Sequence, residues 1–343
     1  MDKFEGAAAS LLVRLLDESW WLRKINRAWA VYCELIAILT GQVRKGVSPY
    51  ASAHAVREFT QRKAAQRAWM ENMSAVNEEL GQEIDLTDAI MASVANPEIR
   101  RHELMVRMRG FEDMAQEQGK LGLFLTLTAP SSYHAWRQGK QDKSKTYQNE
   151  DFNGSTPTET NRLLCKQWAR FRAALAREGI MAFGFRVVEP HHDGTPHWHA
   201  VLFMTLADIK TYIKICRHYM LADSGNEPGA RQHRFKVVFI DPRKGDAVAY
   251  CSKYVAKNID GFAVGNDHEA GKRAKSIETA ARVDAWKSDN RIRQFQQLGG
   301  PSVQAWREFR RVREPLEQDN QMLQDLTPEQ HFALENVRMA ANA

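Results

Sequence analysis

Residues Glu189 to Met204 read EPHHDGTPHWHAVLFM, and this stretch decides the fold. In a strand, side chains two apart share a face, so His197 and His199 point together while Trp198 points away. The preceding run from Met181, MAFGFRVVE, also has the make-up of a strand, and Asp193-Gly194 between the two is a turn dipeptide. The two strands therefore pair as a hairpin that brings Glu189 back towards the histidines. Two imidazoles and one carboxylate then converge on one point and leave open positions on any divalent cation they hold. His191 and His192 compete for the third place, but they lie in the turn, where their direction is less constrained. Glu189, at a strand end, is the preferred ligand.

Further on, Tyr250 to Asn258 read YCSKYVAKN. On a helix Tyr250 and Tyr254 are face neighbours, and two phenols project from one side. Lys253 and Lys257 each follow a tyrosine by three residues, where a cation would hold a phosphate or favour phenolate. The alternative for both is an ordinary solvated helix charge.

Around these two stretches the pattern is mixed. From Ala7 to about Gln118 apolar residues recur at helical spacing, with Gly41 placed to close a helix and Asn96-Pro97 to open one. Trp20, Trp21, Trp29 and Trp69 in this region are expected to pack between helices. Leu121 to Thr128, LGLFLTLT, alternates as a strand, and Ala129 to Thr160 is a polar loop in which Tyr133, His134 and Tyr147 stand out without an assigned role. An amphipathic helix follows from about Thr158 to Glu178. After the hairpin come a helix from Leu206, a short strand FKVVFI from Phe235, and the tyrosine helix from Asp246. Lys272 to Arg313 reads as basic helical segments, where Trp286 and Trp306 suit either a nucleic-acid surface or a helix core. Glu314 to Ala343 is an acidic tail. The expected class is α+β, a central antiparallel sheet with flanking helices. Three regions are expected: helices over 1–119, the sheet domain over 120–262, and a basic helical segment with the tail over 263–343.

The chain has 343 residues, 43% of them hydrophobic, enough for a real core. A net charge of +6 and a pI near 9.1 favour a polyanionic partner without identifying it. The four cysteines show no CxxC spacing, which fits a reducing cytoplasm. No apolar run is long enough to span a bilayer, so no membrane role is expected. No GxxxxGK[ST] phosphate loop occurs, so no nucleotide cofactor is expected and an ATP-driven helicase is not encoded.

FLTLTAP from Phe124, HHDGTPHWH from His191 and YCSKYVAKNIDG from Tyr250, in that order, resemble the HUH endonucleases of the two-tyrosine class. The resemblance is closest to the phage replication gene A proteins, which start rolling-circle replication, and it covers roughly residues 121 to 310. It implies a metal-dependent enzyme that nicks and rejoins single-stranded DNA at a replication origin in the cytoplasm of a bacterial host. Tyr250 or Tyr254 would be the nucleophile, joined to the 5′ phosphate while the 3′ hydroxyl leaves. Glu189, His197 and His199 would hold Mg²⁺ or Mn²⁺. Strand separation requires work this chain cannot supply, so a host helicase is an expected partner. A two-tyrosine rolling-circle transposase would share every residue named. Two other classes compete. One is an oxygenase with a two-histidine, one-carboxylate iron site, which leaves the tyrosines without a task. The other is a non-catalytic DNA-binding protein whose metal is structural.

Overall fold

A five-stranded antiparallel sheet carries the hairpin expected from the sequence. The computed structural model describes residues 2–311, apart from 80, 140, 143–144, 242, 244–246, 263–264, 268–269 and 271–273, together with residue 327. The acidic stretch from Glu314 lies outside the described residues except for that last one, as do Asp246 and the Gly271-Lys272 junction.

The chain opens with α1 (Asp2–Leu16), α2 (Glu18–Leu39) and α3 (Ala53–Met70). A small hairpin of β1 (Ser74–Asn77) and β2 (Gln82–Asp85) leads to α4 (Leu86–Met91) and α5 (Pro97–Glu117). Next come β3 (Leu121–Thr128), a second small hairpin of β4 (Trp136–Gln138) and β5 (Thr146–Gln148), and α6 (Pro157–Arg177). The remainder runs β6 (Phe183–Pro190), β7 (Pro196–Met204), α7 (Leu206–Met220), α8 (Ala230–His233), β8 (Phe235–Phe239), α9 (Ala247–Ile259), α10 (Ser276–Asp289), β9 (Phe295–Leu298) and α11 (Val303–Arg311). The sheet order is β8-β3-β7-β6-β9, with every neighbouring pair antiparallel.

Both faces of this sheet are covered, which is why β6 and β7 are buried along their whole length. On one face Leu123, Leu125, Leu127, Trp198, Ala200 and Leu202 form a core with Trp168 and Phe171 of α6 and Tyr212 of α7. On the other, Phe124, Phe185, Val201 and Phe203 pack against Leu104, Met108 and Phe111 of α5 and Cys251, Val255 and Ile259 of α9. The histidines share this second face, because the two-residue period of β7 puts His197 and His199 in line with Val201 and Phe203.

Local chemistry sets the helix ends. Asn96 caps α5 through the Glu98 amide with Pro97 in the first turn, and Thr156 and Glu159 form a capping box on α6. Helix α9 is fixed at both ends by α5. The Ala247 amide donates to Glu112 Oε1 (2.7 Å), and Arg101 Nε lies 2.9 Å from Asp260 Oδ2 just past the other end. A carboxylate at the first turn also complements the helix dipole.

Three expectations are corrected. The N-terminal region is not wholly helical, since β1 and β2 interrupt it around Gly81, whose φ is +60°. Four-residue strands are too short to show a period of their own. The stretch read as helical after Lys272 contains β9, which pairs with β6 and completes the sheet edge. Its sequence, FQQL, lacks alternation, so only the strand beside it reveals it. The N-terminal tryptophans do not all pack between helices, while the two C-terminal ones, open to either role, are core. Trp21, Trp29 and Trp69 are exposed, Trp29 by 63%, because no described element covers their helix faces. Trp286, 1% exposed, and Trp306 belong to the core, and Trp286 Nε1 donates to Gly194 O (2.7 Å), tying α10 to the hairpin turn.

Candidate active site

Register brings the three expected ligands together. Glu189 on β6 sits directly opposite His197 on β7, and His199 lies opposite Val187 on one side and Thr126 of β3 on the other. The His199 and His197 Nε2 atoms lie 3.4 Å and 3.7 Å from Glu189 Oε2, and one ligand atom from each of the three residues falls within 4.8 Å of the other two. All three residues are buried. The group could therefore hold a divalent metal.

The protonation states suit that role. Burial would raise the Glu189 pKa, but the Lys257 charge, ahead of His199 and the Asn258 hydrogen bond, holds it below the ordinary value. Burial, followed by repulsion from His191 and His199, pushes His197 well below the usual imidazole range. An ionised carboxylate and a neutral imidazole are the forms that bind a cation. Thr126 Oγ1 lies 3.2 Å from His199 Nδ1, a contact that holds the ring with Nε2 facing Glu189. The donor set of two nitrogens and one oxygen fits a divalent cation with sites left open.

Helix α9 brings Tyr254 against this group and Tyr250 against the neighbouring Phe124. The Tyr254 ring lies 4.1 Å from the His199 ring, and Phe124 packs against His199, Tyr254 and Tyr250 at 5.4, 5.5 and 5.9 Å. Cys251, Val255 and Ile259 anchor the helix in the core beneath, so the stripe carrying Tyr250 and Tyr254 is not free to rotate away. Burial, then the Glu189 charge, pushes the Tyr254 phenol up to about 12. A cation at Glu189 would oppose the second of these causes.

The two lysines part company. Lys253 is exposed on α9. Lys257 is buried, its Nζ 3.4 Å from Asp267 Oδ1 and 5.1 Å from the Tyr50 ring centre. Asp267 also accepts from Tyr50 Oη (2.7 Å) and Thr279 Oγ1 (2.8 Å), so Lys257 belongs to a buried cluster that joins α9, α10 and the segment before α3.

Several contributors escaped the sequence reading. Asn258 is fully buried, and its amide donates to Glu189 Oε1 and to Tyr254 O, while its oxygen accepts from Gln294 Nε2 (3.0 Å). The signal was available, since Asn258 stands four residues beyond Tyr254 and shares its stripe. Gln294 had no such signal, because it reaches the site only through the return of β9 to the sheet. The polar loop contributes as well. His134 Nδ1 lies 3.3 Å from Asp193 Oδ2, and the His134 ring sits 5.0 Å from His191, which stacks on His197 at 4.0 Å. Of the two turn histidines, His191 stacks on His197 beside the group, while Glu189 belongs to it.

Comparison with known proteins places these features in context. The family model described as bacteriophage replication gene A protein matches residues 3–262. The chain is 44% identical over 329 residues to a probable replication protein of Pseudoalteromonas phage PM2, covering 95% of this chain and 49% of that one. It is 42% identical over 316 residues to the replication gene A protein of Escherichia phage 186, covering 91% and 44%. It is 34% identical over 307 residues to a probable replication endonuclease from a prophage-like region of Salmonella paratyphi A, covering 87% and 37%. The chain thus spans about half the length of these relatives, or less. No solved structure matches it.

Proposed function

The chain belongs to the bacteriophage replication gene A protein family, and from that premise we propose that it is a replication initiator that nicks and rejoins single-stranded origin DNA through a phosphotyrosine. The observation that carries this reading is the Tyr254 ring 4.1 Å from His199, within a buried carboxylate and two-imidazole group. A relative named as a probable replication endonuclease and the basic charge of the chain support the same reading.

Glu189, His197 and His199 would hold Mg²⁺ or Mn²⁺, which supplies Lewis-acid polarisation of the scissile phosphate. The chain's own residues do the rest. Phe124 packs against both tyrosine rings and Tyr254 touches the ligand group, so either Tyr250 or Tyr254 would attack phosphorus from that side. The bond from tyrosine oxygen to phosphorus forms as the bond from phosphorus to the 3′ oxygen breaks. The adduct conserves the phosphodiester bond for rejoining. With one phenol engaged, the second remains to cut a regenerated origin, and the released 3′ hydroxyl can attack the first adduct. Lys253, exposed beside this stripe, would meet the DNA backbone, while Lys257 acts through the charge it places near Glu189. Region 1–119 would recognise the origin or a partner beside the sheet domain. A host helicase would separate the strands.

The test is to incubate the protein and Mn²⁺ with labelled single-stranded origin DNA and score a denaturant-resistant adduct for Tyr250→Phe, Tyr254→Phe and the double variant. The double variant is expected to form none, and at least one single variant to nick without efficient rejoining. An undiminished adduct in the double variant would remove both tyrosines from the reaction.

A further inference from the structure

The polar loop after β3 supplies a group that the nicking reaction, as described above, leaves unassigned. His134 is held at Nδ1 by Asp193 Oδ2 (3.3 Å), and the Asp193 side chain is completely buried in the hairpin turn. A carboxylate in a turn is ordinarily solvated. Here the Thr195 amide donates to Asp193 Oδ1 (3.1 Å) and the Trp136 amide to Oδ2 (3.5 Å), which fixes the carboxylate against the imidazole. Burial would raise its pKa, but His134, ahead of His192 and His191, holds it below the carboxylate range. The His134 side chain keeps 17% of its surface in solvent. With Nδ1 taken, Nε2 is the ring's remaining site for exchanging a proton.

Placement gives this pair a task. Ring contacts run in an unbroken row from Tyr254 to His199 (4.1 Å), His197 (4.8 Å), His191 (4.0 Å) and His134 (5.0 Å). The row follows β7 from the tyrosine helix to the 191–195 turn, so Tyr254 and His134 stand at opposite ends with the ligand group between them. In-line displacement at phosphorus puts the nucleophile on one side and the leaving oxygen on the other, and the order of groups along this row has that same polarity.

Resting on the nicking reading above, we propose that His134, oriented by Asp193, is the general acid that protonates the leaving 3′ oxygen. The phenol proton goes to solvent before attack. The tyrosine oxygen forms its bond to phosphorus, the electron pair of the breaking bond passes to the 3′ oxygen, and that oxygen takes the proton from His134 Nε2. In rejoining, the 3′ hydroxyl returns its proton to His134, and the phenolate leaves. Asp193 is a positioning residue that stabilises the charged imidazole and fixes which nitrogen faces the DNA.

The experiment compares two origin strands with Mn²⁺ present, one natural and one with sulfur replacing the bridging 3′ oxygen at the nick. A thiolate departs without an acid. His134→Ala and the shape-preserving His134→Gln are expected to slow adduct formation about 100-fold or more on the oxygen strand and to stay within about 3-fold of the natural protein on the sulfur strand. Asp193→Asn is expected to show the same selective defect, more weakly. Equal slowing on both strands by both His134 variants would overturn the assignment while leaving the nicking reading intact. No adduct from the unaltered protein on either strand would overturn both.

Discussion

Asn258→Ala tests whether the ligand group is preorganised by α9 or merely adjacent to it. Asn258 has no exposed surface, and its amide donates both to Glu189 Oε1 and to Tyr254 O while its oxygen accepts from Gln294. Truncation removes a hydrogen bond to a charged group, worth about 1.5–3 kcal/mol. It also strands the buried Gln294 amide, at about 1–3 kcal/mol. Since the groups form one network the two do not simply add, and a loss of about 3–5 kcal/mol in the metal-free protein is expected. Metal affinity should fall too, because removing a partner that orients a ligand typically weakens binding about 10–100-fold. Denaturant unfolding with chelator present measures the first effect, and titration of Mn²⁺ followed by its paramagnetic signal measures the second. Gln294→Ala should reproduce part of both losses, and the double variant should lose less than the two singles combined. Mn²⁺ affinity unchanged in Asn258→Ala, with folding intact, would refute the claim that this amide sets the position of Glu189.

Further outcomes follow from other parts of the fold. Glu34 is buried, takes the Ser52 amide at Oε1 (2.9 Å), and has its pKa raised chiefly by burial. The unfolded chain therefore releases this proton at lower pH than the folded one, and ionised Glu34 opposes folding as pH rises from about 4.5 through its raised value. Glu34→Gln should accordingly be the more stable protein at pH 8, with the advantage shrinking towards pH 4.5 in parallel denaturant titrations; a constant offset would contradict this. Gly184, at φ +149°, lies in β6 where a Cβ would come within 2.0 Å of Val201 O on β7. Gly184→Ala should cost about 3 kcal/mol or more by forcing the two strands apart, read as a lowered unfolding midpoint. Lys257→Ala leaves the buried Asp267 without that cation and should cost about 3 kcal/mol, whereas Lys253→Ala on the exposed side of α9 should change stability by less than about 0.5 kcal/mol. Similar losses from both would mean that the Asp267 cluster contributes nothing particular.

Much of the site was legible because it depends on short-range periods. The two-residue period of β7 dictated that His197 and His199 share a face, the Asp193-Gly194 turn dictated that Glu189 returns to them, and a four-residue helical spacing dictated that Tyr250 and Tyr254 form one stripe. Those rules act within a few residues, and the chain states them outright. It also announced the strand at Leu121–Thr128 and the antiparallel class through alternation and turn residues.

Tertiary structure decided what lies between distant segments. Only the sheet order placed Thr126 behind His199, and only the docking of α9 on α5 and Phe124 brought Tyr254 against the Glu189, His197 and His199 group. Lys257 was drawn away from a helix surface into a cluster with Asp267 and Tyr50, 217 positions apart in the chain, and His134 met a turn carboxylate 59 positions away. Trp286 and Trp29 could not be told apart as core and surface, because burial depends on which helix face another segment happens to cover. A local pattern fixes the direction of a side chain relative to its own element. What that side chain meets is set by the packing of elements whose contacts span hundreds of residues, and no local spacing records it.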